Sequence, residues 1–124
     1  MQVLIDTNIF IEILRKNEQF VNLVLGMVDN AEFFYNPIIE AELMAGAREK
    51  DKQSIEFVLS KMECLEITKE TGLIAGELAN KYAKSHSTIT LDDFFIAASA
   101  KQHKCRLWTL NKKHFPMFQK TELV

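Results

Sequence analysis

The stretch Val3-Leu4-Ile5-Asp6-Thr7-Asn8 decides how the rest of the chain reads. Val3 to Ile5 is an unbroken apolar run, which suits a strand buried on both faces rather than one alternating toward water. A carboxylate, a hydroxyl and a carboxamide end it, and Ile9, Phe10, Ile13 and Leu14 follow at helical spacing. Thr7 or Asn8 is expected to cap that helix by accepting from its free N–H groups. Asp6 then stands where a central strand gives way to a helix. In open α/β sheets ligands bind there, beyond the carboxyl ends of the strands. The remaining question is which other residues reach Asp6.

Working outward, the chain alternates between two periodicities. Ile9 to Arg15 reads as a helix, and Phe20, Val21, Leu23, Val24 and Met27 form a second amphipathic stretch. Glu32-Phe33-Phe34-Tyr35 is short, aromatic and β-prone, a second strand. Asn36 caps the next helix with Pro37 at its first position. Residues 49–62 give another helix, Cys64 to Ile67 a third strand, and Thr68 caps a long helix from Lys69 to about Lys84. Thr90-Leu91-Asp92-Asp93 matches a capping box and opens a helix to about His103. Arg106 to Thr109 is a fourth strand, Lys112 to Met117 a short helix or turn, and Glu122-Leu123-Val124 an added edge strand. Strands alternating with helices predict an α/β fold: a three-layer α/β/α sandwich on a mainly parallel sheet of four or five strands.

Bulk properties narrow the class. With 124 residues, 48% hydrophobic and 26% charged, residues 1–124 read as a single globular domain. The N-terminus shows neither a signal peptide nor a membrane span, so a cytoplasmic location is expected. Cys64 and Cys105 share no zinc spacing and fit reduced cysteines. Net charge is −2, yet no acid occurs between Asp93 and Glu122, where Lys101, Lys104, Arg106, Lys112, Lys113 and Lys120 fall. Such a basic sector beside an acidic site could guide a phosphate backbone. The glycines form no P-loop or dinucleotide fingerprint, which speaks against ATP and NAD. The phenylalanines at helical spacing read as core rather than as a base-stacking platform.

Asp6, Glu40, Glu42, Asp92 and Asp93 fall near strand ends or in the first turns of helices. Glu40 and Glu42 are two apart on one helix and point to nearly opposite sides, so one alone can face Asp6. Glu42 is favoured, because the small Ala45 and Gly46 beside it let another backbone approach; Glu40 takes a surface role. Asp92 and Asp93 are separated by about 100° around a helix, and Asp93, at the third helical position, could simply complete Thr90's cap. Taken together, three carboxylates and the amide of Asn111 would repel or compete if left unpaired, and a hard divalent cation such as Mg2+ or Mn2+ resolves that.

These residues resemble a known family. Asp6-Thr7-Asn8 after an apolar strand, Glu42-Leu43-x-x-Gly46, Asp93-x-x-Ile96-Ala97-Ala98-x-Ala100 and Thr109-x-Asn111-x-x-His114-Phe115 resemble, in order, the four motifs of PIN domains. Order, spacing and size are similar to those of the VapC-type toxins of type II toxin–antitoxin pairs. The resemblance implies an Mg2+- or Mn2+-dependent endoribonuclease, a homodimer, and inhibition by a cognate antitoxin. By position it makes Asp6, Glu42 and Asp93 the catalytic, metal-binding triad, with Asn111 holding a metal-bound water. Glu42 is either a third ligand or the base that positions water, and Asp92 is accessory. Asn8 and Thr109 orient the acids. Lys101, Lys104, Arg106, Lys112 and Lys113 are candidates for the RNA backbone.

Two other classes compete. A catalytically retired PIN-like module would bind RNA or protein without cutting. A phosphoacceptor signalling domain would need an Asp at the end of a middle strand, where this chain has Ile67-Thr68.

Overall fold

Val3, Leu4 and Ile5 are each fully buried, as a strand covered on both faces requires. They form the middle of β1 (Gln2–Ile5) in the computed structural model, which describes residues 1–124. β1 pairs in parallel with β2 (Glu32–Tyr35) on one side and β4 (Arg106–Trp108) on the other, and β3 (Glu63–Cys64) extends the sheet beyond β2. The order is β3-β2-β1-β4. The connecting helices are α1 (Thr7–Leu14), α2 (Glu18–Met27), α3 (Pro37–Ala45), α4 (Lys52–Ser60), α5 (Lys69–Tyr82) and α6 (Leu91–Gln102). They cover the parallel sheet as a three-layer α/β/α sandwich, the predicted class. Twenty-four buried hydrophobic residues form one core cluster, and among the phenylalanines only Phe57 is exposed.

This strand order creates the site. The chain steps from β1 outward to β2 and β3, then returns to place β4 on β1's other side. The direction therefore reverses between β1 and β4, and such a reversal leaves a crevice beyond the carboxyl ends of the strands. Ile5 is in register with Trp108, so Asp6 and Thr109 emerge side by side. The ladder runs one step further, with the Asp6 amide donating to the Trp108 carbonyl at 2.9 Å.

Several local expectations are corrected. The cap of α1 is Asp6 itself, extended at φ −72° and ψ 157°, and its carboxylate accepts from the Thr7 amide. The helix starts directly at the strand end and leaves Thr7 and Asn8 inside its first turn. β3 is two residues long rather than the run from Cys64 to Ile67, although the Leu65 amide still donates to Tyr35. The helix expected over residues 49–62 begins as a 3-10 turn at Glu49–Asp51, and the long helix stops at Tyr82. The short helix or turn expected over Lys112 to Met117 is there, as a 3-10 turn at Lys112–His114. The edge strand at Glu122-Leu123-Val124 is reduced to one parallel bridge from Leu123 to Leu107, after a 3-10 turn at Lys120–Glu122.

Asn36 joins the two helices that carry Glu42 and Asp93. Fully buried at the end of β2, it accepts from the Ile39 amide at 2.9 Å as the cap of α3. Its amide donates to the Ser99 hydroxyl of α6, also at 2.9 Å. Alanine here removes a cap worth about 1 kcal/mol and strands the buried Ser99 hydroxyl, worth about 1–3 kcal/mol more. Asn36→Ala is expected to lower Tm by on the order of 10 °C in thermal unfolding. A shift of a degree or two would mean that the pair does not tie α3 to α6.

Candidate active site

Asp6 is 5% exposed, and every oxygen it has is occupied. Oδ1 accepts from the Thr7 amide at 2.8 Å. Oδ2 accepts from the Thr109 hydroxyl at 2.7 Å and from the Asn8 amide at 3.3 Å. Asn8 and Thr109, expected to orient the acids, do sit against Asp6. Asn8 also accepts from the Leu110 amide at 3.1 Å, and Thr109 accepts from the Asn111 amide at 2.9 Å. The start of α1 and the loop after β4 are thus sewn together around one carboxylate.

Glu42, on the second turn of α3, turns toward Asp6, and Thr7 of α1 donates its hydroxyl to Oε1 at 2.8 Å. Glu40 faces elsewhere, where its charge acts on Tyr35 and Cys64. The choice of Glu42 over Glu40 matches these positions. Thr7 was missed as an orienting residue, although it lies between Asp6 and Asn8; its contact joins positions 35 apart in the chain.

Asp93 completes the capping box of α6: its amide donates to the Thr90 hydroxyl, and its Oδ2 accepts from the Thr90 amide at 3.1 Å. The same oxygen lies 3.1 Å from Nδ1 of His114, on the turn after β4. Asn111 reaches that ring nitrogen at 3.0 Å. Asp92 is exposed, yet its charge is felt at Glu42. Asp93 therefore caps α6, and its charge also acts on Asp6 and Glu42.

The carboxylates disturb one another. Burial pushes the Asp6 pKa above its ordinary 3.8, the charge of Asp93 adds to this, and the hydrogen bonds from Thr109, Thr7 and Asn8 oppose it. Glu42 is likewise raised above 4.5, first by burial and then by the charges of Asp6, Asp92 and Asp93, against the bond from Thr7. None of the ion pairs in the chain includes either acid, and Asp93 meets only His114. Buried, mutually repelling oxygens without a Lys or Arg partner fit a hard divalent cation. As the side chains stand, no three His, Cys, Asp or Glu groups are gathered tightly enough to grip one ion. A fit therefore requires the carboxylates to draw inward.

The basic residues divide between the two ends of the sheet. Lys112 and Lys113 are exposed on the turn that carries His114, at the Asp6 end. Lys104 lies in the turn before β4, at the opposite end. Lys101 pairs with Glu122 at 2.8 Å and lies over the Phe118 ring. Arg106 donates to the Leu123 carbonyl at 2.6 Å, so both tie down the C-terminal segment. Sequence reasoning passed over a different pair. A cavity of about 480 Å³ opens beside Glu42 between α1 and α4, floored by Leu43 and Ile55 and bordered by Arg15 and Arg48. The two arginines are 33 positions apart, and no local pattern links them.

Comparison with known proteins identifies the family and the fold. A family profile described as PIN domain matches residues 3–120. Ribonuclease VapC19 of Mycobacterium tuberculosis is 34% identical over 116 residues, covering 93% of each chain. Ribonuclease VapC10 of the same organism is 28% identical over 117 residues, 94% of this chain and 88% of that one. The fold is similar to that in the crystal structure of VapBC2 from Rickettsia felis bound to a promoter DNA fragment, with TM-score 0.82 and 25% identity over 100% of this chain and 96% of that one. VapBC-1 from nontypeable Haemophilus influenzae aligns with TM-score 0.78 and 28% identity over 99% and 95%. With its motifs in order and its profile match spanning nearly the whole sequence, the chain belongs to the PIN-domain family.

Proposed function

We propose that this protein is a divalent-metal-dependent endoribonuclease and the toxin of a toxin–antitoxin pair. One observation carries the reading: Asp6, Glu42 and Asp93 converge at the switch point between β1 and β4, with their charges uncompensated by lysine or arginine. The names of the relatives, VapC ribonucleases and VapBC assemblies, support the substrate class and a protein partner.

Asp6, Asp93 and Glu42 are the residues to hold Mg2+ or Mn2+, with Asn111 beside them. A bound cation supplies the field that lowers the pKa of an attacking water and offsets charge on the phosphoryl oxygens. The chain's own groups do the rest. Thr109, Thr7 and Asn8 fix Asp6 in one orientation, and Thr7 fixes Glu42. Glu42, with its raised pKa, can take the proton of the attacking water as the new P–O bond forms, while the ribose oxygen that leaves takes a proton from solvent. Lys112, Lys113, Arg15 and Arg48 border the site and can hold backbone phosphates, which position the strand without reading its sequence.

The protein is further read as a cytoplasmic homodimer; no helix is long and apolar enough to cross a membrane. Leu23, Leu25 and Phe57, exposed on α2 and α4, are apolar positions for the dimer contact.

The test is a structured-RNA pool incubated with Mg2+, with Mn2+ or with EDTA. Cuts that need metal and stop when the antitoxin encoded beside the gene is added are the expected result. Cutting that is equal in EDTA would overturn metal dependence, and a folded, metal-binding protein that cuts nothing would favour the retired module.

A further inference from the structure

Gly46 is a glycine that the fold does not require. Its backbone is right-handed helical at φ −91° and ψ −2°, a conformation open to any L-residue. A Cβ added there would meet only the Glu42 carbonyl, at an ordinary 3.8 Å. In its place alanine or leucine would strengthen the end of α3. Glycine is otherwise suited to a backbone that a ligand approaches closely. Gly46 is exposed, and it lines the cavity of about 480 Å³ between α1 and α4.

The cavity's other walls agree on what fills it. Leu43 and Ile55 give an apolar floor. Glu42, one turn back from Gly46 on α3, forms part of the wall, so a nucleotide next to a phosphate reacting at Glu42 has the cavity beside it. At the rim Arg48 gives Nε and Nη2 to Asp51 at 2.9 and 3.5 Å, while its Nη1 donors make no hydrogen bond. Arg15 makes no side-chain hydrogen bond; Glu12 lies 3.8 Å from its Nη1. Exposed pairs of this kind hold little energy, so a phosphate can replace either acid and accept the planar fork of the guanidinium. An apolar floor, a bare strip of backbone and cations at the rim suit an unstacked nucleobase between its phosphates. The place of Glu42 in the wall favours the substrate over a protein segment.

We propose that this cavity receives the base of the nucleotide next to the cleaved phosphodiester, laid over Gly46 and the Leu43–Ile55 floor, with Arg15 and Arg48 on the flanking phosphates. This rests on the reading of the site as one that cuts RNA. It puts base preference in the cavity, since phosphate contacts alone carry none.

The experiment is cleavage of a structured-RNA pool by the full chain with the cut ends sequenced. Steady-state kinetics follow on one oligonucleotide carrying the most frequent wild-type cut. The proteins are wild type, Gly46→Ala, Gly46→Leu, Arg48→Gln and Gly76→Leu, each with its Tm. Gly76, on α5, has open space for a Cβ too and lies outside the cavity. The three glycine variants should unfold at or above the wild-type Tm. Gly46→Leu, which fills the cavity, should raise KM about tenfold or more with little change in kcat and flatten the base preference beside the cut. Gly46→Ala should do the same to a smaller extent. Arg48→Gln should weaken binding equally for all sequences and lower its salt slope by about one. Gly76→Leu should cut as wild type does.

Unchanged KM and base preference in folded Gly46→Leu would overturn the proposal, and escape of that variant from the antitoxin would assign the cavity to the protein partner instead. Cutting lost by both Gly46 variants only in step with a lowered Tm would make Gly46 a structural residue and overturn it as well. No RNA cut by wild type would remove the site reading and this inference together.

Discussion

Asp6→Asn is expected to yield a folded protein that has lost RNA cleavage by on the order of 10²-fold or more, since one charge at a metal-assisted phosphoryl centre is worth several kcal/mol. The two amino acids have nearly the same shape. The asparagine oxygen can still accept from Thr109, whose hydroxyl is the closest partner at 2.7 Å, while the Thr7 amide loses its acceptor. One lost hydrogen bond costs about 1 kcal/mol. Against it stands the removal of a charge that is 5% exposed and repelled by Asp93. The two effects oppose each other, so Tm of the metal-free variant should equal or exceed that of wild type. Strained sites commonly gain stability when function is removed. Glu40→Gln is the control: it lies on the same helix as Glu42 but faces away, and it should cut like wild type. Cleavage rates and thermal unfolding of the three proteins suffice. Undiminished cutting by Asp6→Asn, or a Tm fall of 10 °C or more, would refute the account of Asp6.

The position of Asp6 was legible because two local signals meet there: an apolar run too continuous for a one-faced strand, and a change of periodicity directly after it. Asp93 was legible for the same reason, since a capping box is a pattern within four residues. Its contact with His114 was not. That contact joins positions 21 apart, and it exists only because β4 returns to β1's open side. The basic sector failed differently. Lys101, Arg106 and Lys112 are close in sequence, but a strand and a turn distribute them over opposite ends of the sheet. Lys101 and Arg106 then find partners in Glu122 and the Leu123 carbonyl. Charge counted along a chain says nothing about which end of a strand bears it. The third strand was overextended because composition reports β-preference, whereas the length of β3 is set by how far it stays beside Tyr35. PIN motifs were recognisable because each occupies one turn of chain. The supports that Thr7 and Asn36 provide were less so, since each acts through a residue on another element.

The metal-free protein should become less stable as pH rises through the carboxylate range, and metal should reverse that loss. Asp6 and Glu42 both have folded-state pKa values raised above 3.8 and 4.5, by burial first and by neighbouring acids next. A raised carboxylate binds its proton more tightly in the folded than in the unfolded chain. Its contribution to stability is therefore fully present below the unfolded value, near pH 4, and disappears as pH climbs through the folded value. Asp51 and Glu122, lowered by Arg48 and Lys101, act in the opposite sense, but they are surface groups and count for little. The difference between wild type and Asp6→Asn isolates the effect. It should be small near pH 4 and grow toward pH 7, with the variant increasingly the more stable. Mn2+ at about 100 times its Kd should add about 2.7 kcal/mol to wild type at neutral pH. That gain should shrink on acidification, because protons compete for the same oxygens. Thermal unfolding at pH 4.5, 6 and 7.5, with EDTA and with Mn2+, reads all of this. A wild-type minus variant difference that stays flat with pH would mean Asp6 is not a strained charge, and the case for a cation at the switch point would lose its electrostatic ground.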